Sequence, residues 1–162
     1  MRPRALALPV ALALALALAL AALVLPAMAA PGKEAEPPKQ ARLVLVVHAE
    51  NTISRLDRST LKNMYLGLTT FWVGSVRVRP YNRVHEGAAG KPFFRDVLGM
   101  TPARYRHTWQ KHQLSGQGVE PEVVATAASL VAKVAANAGA IGYILDSESG
   151  AADARVRLIP LE

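Results

Sequence analysis

The run Leu43-Val44-Leu45-Val46-Val47, ending at His48, has no polar residue in five consecutive positions. Side chains alternate between the two faces of a strand, so such a run buries both of them. A chain that carries it must lay apolar elements above and below a sheet. The remaining pattern agrees. Asp57 to Leu66 reads as a helix, with Leu61, Met64, Tyr65 and Leu68 at helical spacing and Gly67 as a stop. Val76 to Tyr81 reads as a second strand after a Gly74-Ser75 turn. Phe93, Phe94, Val97 and Leu98 form the apolar face of a helix that tolerates Pro92 in its first turn and ends at Gly99. Thr101-Pro102 caps and starts the next helix, which runs to about Gln113 and carries Tyr105 and Trp109 on one side. After the Ser115-Gly116-Gln117-Gly118 loop, helical pattern returns from Pro121 and is firmest over Ala128 to Ala138. Ala140 to Leu145 is a third strand and Arg155 to Pro160 a fourth, joined by the polar stretch Asp146 to Asp153. The order β-α-β-α-α-α-β-β predicts an α/β fold with a mostly parallel sheet flanked by helices.

The folding unit does not begin at residue 1. Arg2 and Arg4 precede an uncharged apolar run, Ala5 to Leu25, and Pro26 leads into the small-x-small pattern Ala27-Met28-Ala29. This is the order of a secretory signal, predicting cleavage after Ala29 and export to the periplasm. The run also has the roughly 20 residues needed to span a bilayer, so a retained N-terminal anchor is the alternative. Residues 30–40 carry Pro31, Gly32, Pro37 and Pro38 among Lys33, Glu34, Glu36 and Lys39, a linker composition that cannot bury a face. The expected organisation is signal 1–29, linker 30–40 and one folded domain over 41–162.

Charge and residue chemistry narrow the function. The net charge is +7, or +5 without Arg2 and Arg4. An exported basic chain meets anionic solutes, envelope surfaces or acidic proteins, and not nucleic acid. The chain has no cysteine, which excludes disulfides, thiolate metal sites and a lipid-modified cysteine. His48, His85, His107 and His112 match no metal-binding spacing, so no metal or cofactor is expected. Ser115, Ser147 and Ser149 lack a nucleophile elbow, and Glu86 and Glu120 form no recognisable acid–base pair, so the chain reads as a non-enzyme. Arg104, His107 and Lys111 lie along one side of a helix, as a docking stripe or a solvated face. Tyr105, Trp109, Phe71 and Trp72 read as core aromatics.

Three stretches carry a family resemblance. Leu56 to Gly67, followed by Thr69-Thr70-Phe71-Trp72, resembles a leucine, short helix, aromatic-leucine-glycine segment and its lysine-x-threonine-x-tryptophan sequel. The strand Val76 to Tyr81 leads through Asn82-Arg83 into a glycine loop and the Phe93-Phe94 helix, and Gly139-Ala140-Ile141-Gly142-Tyr143-Ile144 is similar to a Gly-x-Ile-Gly-Tyr strand. Together they resemble the substrate-binding proteins of phosphate ABC transporters. The resemblance implies a type II periplasmic-binding-protein fold, in a version with room for a single lobe. It also implies phosphate or another oxyanion as ligand and a membrane transporter or envelope protein as partner. A lobe kept as an interaction module, with no small ligand, is the alternative.

The candidate anion site is Arg83, His85, Gly87, Ala88, Ala89, Gly90 and Lys91. Arg83 offers a bidentate grip, Lys91 adds charge, and a glycine loop entering a helix brings backbone N–H groups close to an anion. The family pattern has hydroxyl residues where Ala88 and Ala89 stand. Each missing hydrogen bond to a charged group is worth about 1.5–3 kcal/mol. Pro92 removes a donor and Glu86 adds a repelling charge. The same loop therefore also reads as a plain structural turn.

Overall fold

The computed structural model describes residues 42–162. The expected signal and linker lie outside the described residues. Leu43–His48 forms strand β1, and Arg58–Tyr65 forms helix α1. Arg79–Pro80 (β2) and Asn82–Arg83 (β3) are two short strands. Gly90–Pro92 starts helix α2, which continues as a π-helical stretch over Phe93–Leu98. Helix α3 is Pro102–Leu114, β4 is Val123–Val124, α4 is Ala127–Ala135, β5 is Ala140–Leu145 and β6 is Val156–Pro160. A 3-10 turn, Asp146–Ala151, joins β5 to β6.

The main sheet has the order β2-β5-β1-β6. Strand β1 sits inside it, opposite Ile141 to Leu145 on one side and Val156 to Pro160 on the other. Both pairings are antiparallel, and in this sheet β2 and β5 pair in parallel. The α/β class and the flanking helices are as expected; the mostly parallel sheet is corrected to a mixed one. The run Leu43 to Val47 signals burial on both faces, and a central strand meets that condition in either direction. A second short sheet pairs β3 with β4 in parallel, which the sequence pattern did not show.

Alternation along β1 explains the two cores. Leu45 and Val47 face a cluster with Leu61, Met64 and Tyr65 of α1, Phe93 and Phe94 of α2, and Tyr105 and Trp109 of α3. Val46 faces the opposite cluster, with Leu130, Val131 and Val134 of α4. Gly142 lets α4 pack this closely, because a Cβ there would sit 2.7 Å from a Leu130 methyl. The helices begin where capping chemistry places them. Asp57 accepts from the N–H groups of Ser59 and Thr60, Thr101 from that of Arg104, and Thr126 from that of Ser129.

The expected strand Val76 to Tyr81 shrinks to Arg79–Pro80. Its first residues turn into a hairpin instead: Trp72 N–H donates to the Val76 carbonyl, and Phe71 bridges Arg77. Trp72, Tyr105 and Trp109 are core residues, whereas Phe71 is exposed on that hairpin. No helix among the described residues is long and apolar enough to cross a membrane.

Candidate functional site

Strands β2 and β5 are neighbours with a common direction, and their carboxyl ends lead to Arg83 and to the Asp146–Ala151 turn. The carboxyl ends of parallel strands are where open α/β sheets hold ligands. There the Arg83 guanidinium meets Glu148 end-on. Nη1 lies 3.0 Å from Oε2, and Nη2 lies 3.1 Å from Oε1. Nη2 also reaches the Ala125 carbonyl at 3.5 Å, beside the start of α4. The side chain is only 11% exposed, and its Nε is buried without a partner. Glu148 accepts a further hydrogen bond, 2.9 Å, from the Leu145 N–H.

These bonds hold the Glu148 carboxyl below the usual carboxylate range, Arg83 being the largest cause. A depressed folded value stabilises the fold above the unfolded pKa, and that contribution is lost as pH falls through the folded one. Glu148→Gln is therefore expected to lower the urea midpoint at pH 7. The gap from wild type should close as the pH drops below 4.5, the ordinary value of the group. A gap that stays constant down to pH 3 would contradict the pairing.

Beneath Arg83 lies a buried polar network. Asn82 is fully buried, and its Nδ2 donates to the Tyr105 hydroxyl at 3.1 Å. The Tyr143 hydroxyl donates to Asn82 Oδ1 at 3.4 Å and accepts from the Arg83 N–H at 3.2 Å. Tyr105 passes its own proton to the Tyr65 carbonyl, and Tyr65 donates to the Tyr81 carbonyl at 2.8 Å. Burial pushes all three phenols up from their ordinary value, so they remain neutral donors. The network fixes the backbone that presents Arg83.

The glycine loop is folded onto itself. Gly87 N–H donates to the Val84 carbonyl at 2.9 Å, and Lys91 N–H to that of Gly87 at 3.0 Å. Ala89 is buried in the core, and Ala88 is exposed. Gly90 lies so close to the preceding chain that a Cβ would stand 2.1 Å from the Val84 oxygen. His85 packs on Phe94 with centroids 4.6 Å apart, its Nε2 3.8 Å from Glu120 Oε1. Burial, helped by the Arg106 charge, pushes its pKa down, so the ring is neutral near pH 7. Burial raises that of Glu120.

The seven residues thus divide into two places. Arg83 faces Glu148, while His85 and Lys91 line a hollow of about 440 Å³ with Phe94, Met100 and Pro102. No hydrogen bond or ion pair joins Arg83 to His85 or Lys91 among the described residues. A larger cleft of about 810 Å³ runs along β2, its lining including Arg77, Arg79, Lys133, Glu120 and Glu122. Lys133 is closed onto Glu122 at 2.7 Å. Glu148 is the residue the sequence reading missed. It lies 65 positions from Arg83, in a stretch read as a polar connection, and only its acidic charge near the end of β5 could have marked it. Among the described residues no cluster of three potential metal ligands forms, and Arg104, His107 and Lys111 are exposed on α3.

The structure is an α/β sheet covered by helices, with a buried arginine at the carboxyl end of its parallel pair. Solved structures give this class a closer description. An ABC-type phosphate transport receptor from Vibrio cholerae matches 74% of this chain with 46% of its own length, at 23% identity and a TM-score of 0.51. PstS from Borrelia burgdorferi matches 75% of the chain with 47% of its length, at 15% identity and a TM-score of 0.57. A protein assigned as a phosphate ABC transporter substrate-binding protein from Clostridium perfringens, solved with bound phosphate, matches 74% with 44%, at 20% identity and a TM-score of 0.54. The fold resembles part of these phosphate-transport binding proteins, of the type II periplasmic-binding-protein class, and the chain spans less than half the length of each. No family model and no curated protein matches the sequence.

Proposed function

We propose that this chain is an exported, non-enzymatic oxyanion-binding lobe of the phosphate class, acting as a binding component or accessory of an ABC-type uptake system. The observation that carries this reading is Arg83. It stands at the ligand end of a phosphate-receptor-like sheet and already grips an oxyanion group, the Glu148 carboxylate, in bidentate geometry. The signal-like residues 1–29 and the basic charge support an extracytoplasmic site of action. With no hydroxyl at Ala88 or Ala89 to add hydrogen bonds, weak binding is expected.

Isothermal titration with phosphate and sulfate tests the reading. The expected result is saturable heat with a millimolar dissociation constant for at least one of them, lost in Arg83→Met. No heat and no melting shift at 10 mM of either anion would overturn it. A second reading rests on a different observation. Leu68, Phe71 and Val73 are 68%, 54% and 101% exposed on and beside the hairpin before β2. Such apolar exposure suits an envelope-protein interaction module. A monomer that binds no anion yet loses a captured envelope partner on Val73→Asp would favour it.

A further inference from the structure

We infer that Glu148 is a built-in competitor for the anion, so that the Asp146–Ala151 turn plugs the Arg83 site and sets its affinity. This rests on the reading of Arg83 as the anion grip. Three observations carry it. First, the plug has the chemistry of the ligand: the carboxylate takes both terminal nitrogens of the guanidinium, at 3.0 and 3.1 Å, as an oxyanion would. Second, the guanidinium is incompletely satisfied, because Nε is buried with no partner. The end-on carboxylate leaves the Nε edge unused, and an oxyanion bound side-on, through Nε and one terminal nitrogen, would satisfy it. Third, the carrier of Glu148 is free to yield. None of the six residues of the turn is buried, and the Glu148 side chain keeps 29% of its surface in solvent. Of the turn's residues only the half-buried Ala151 packs against a core cluster, so lifting the turn uncovers little apolar surface.

A tethered carboxylate competes at a high effective concentration, which a free anion must exceed. Apparent affinity then falls by the fraction of molecules whose grip is open. Glu148 also receives the Leu145 N–H, so the closed form is held at both ends. Such a plug gives a lobe that ignores trace anion and loads only at high local concentration.

The test is phosphate titration, by calorimetry, of the wild type, Glu148→Gln, Glu148→Ala and the double variant Arg83→Met/Glu148→Gln, each first checked for a cooperative melt. Glutamine still accepts from Leu145 but carries no charge. The expected result is phosphate binding at least 10-fold tighter in both single variants, with the gain abolished in the double variant. Single variants that bind no tighter than a binding wild type overturn the plug and leave the anion grip standing. A gain that survives in the double variant also overturns the plug, because the anion would then respond to net charge and not to Arg83. No binding in any of the four proteins overturns plug and grip together. If the double variant does not melt cooperatively, the Arg83 Nε–H resonance of ¹⁵N-labelled Glu148→Gln replaces it. That signal should shift with added phosphate, and a signal that stays put overturns the plug.

Discussion

Gly90→Ala is expected to destabilise the protein by roughly 3 kcal/mol or more, beyond the usual range for a single added methyl. The added Cβ would stand 2.1 Å from the Val84 oxygen and 2.6 Å from the His85 oxygen. Both are backbone atoms, so no side chain can rotate away. The loop must move as a unit, and with it Ala89, which is part of the core, and the start of α2. Thermal or urea unfolding measures the loss directly. Gly150→Ala is the control, because its Cβ would meet nothing within 4 Å. Equal and small losses at the two positions would mean that the 84–90 segment is not closed as described. The outcome also bears on function. Gly90 here serves chain-on-chain contact, with carbonyls filling the space in which an anion would approach the backbone.

How far the sequence reveals this molecule depends on the range of the interaction. Cap residues act within three positions of the groups they satisfy, so Asp57 and Thr101 place their helices closely, whereas the helical pattern read from Pro121 gives way to β4 and starts only after the Thr126 cap. Continuous apolar runs give β1 and β5 almost residue by residue, because burial on both faces leaves no polar position. Strand direction is different. It depends on which strands meet, and the partners of β1 lie about a hundred positions further along the chain. The same limit applies to the candidate site. Arg83 and the glycine loop are contiguous in sequence, which suggests one cradle. The backbone between them turns so that Arg83 faces Glu148 while His85 packs on Phe94. Glycines permit a close approach without saying by what, and here the approaching group is the chain itself. Phe71 and Trp72 show the point at its smallest scale. As adjacent residues of the hairpin they point to opposite sides, so one is exposed and the other donates from its indole to the Gly139 carbonyl inside the core.

Asn82→Ala is the second large expected effect, a loss of about 2–4 kcal/mol in unfolding free energy. Asn82 is fully buried and is the joint at which the Tyr105 and Tyr143 hydroxyls meet. Without it, the Tyr143 hydroxyl still accepts from the Arg83 N–H but has no acceptor for its own proton, and the Tyr105 hydroxyl loses a donor. Neither phenol escapes by ionising, since burial raises both pKa values. A polar group left unpaired inside the fold costs more than the bond it replaces was worth. Tyr143→Phe leaves the Arg83 N–H and Asn82 Oδ1 without this partner and should cost about 1–3 kcal/mol on its own. Combined with Asn82→Ala, it should cost less than the sum of the two, because the proton without an acceptor is gone. A double-mutant cycle by urea unfolding reads that difference, and strict additivity would show that the network does not act as one unit. The cycle also separates stability from recognition. If the network exists to present Arg83, then Tyr143→Phe, which removes the acceptor of the Arg83 N–H, should weaken phosphate binding by several-fold in a protein that remains folded. An unchanged phosphate affinity would confine the network to holding the fold together.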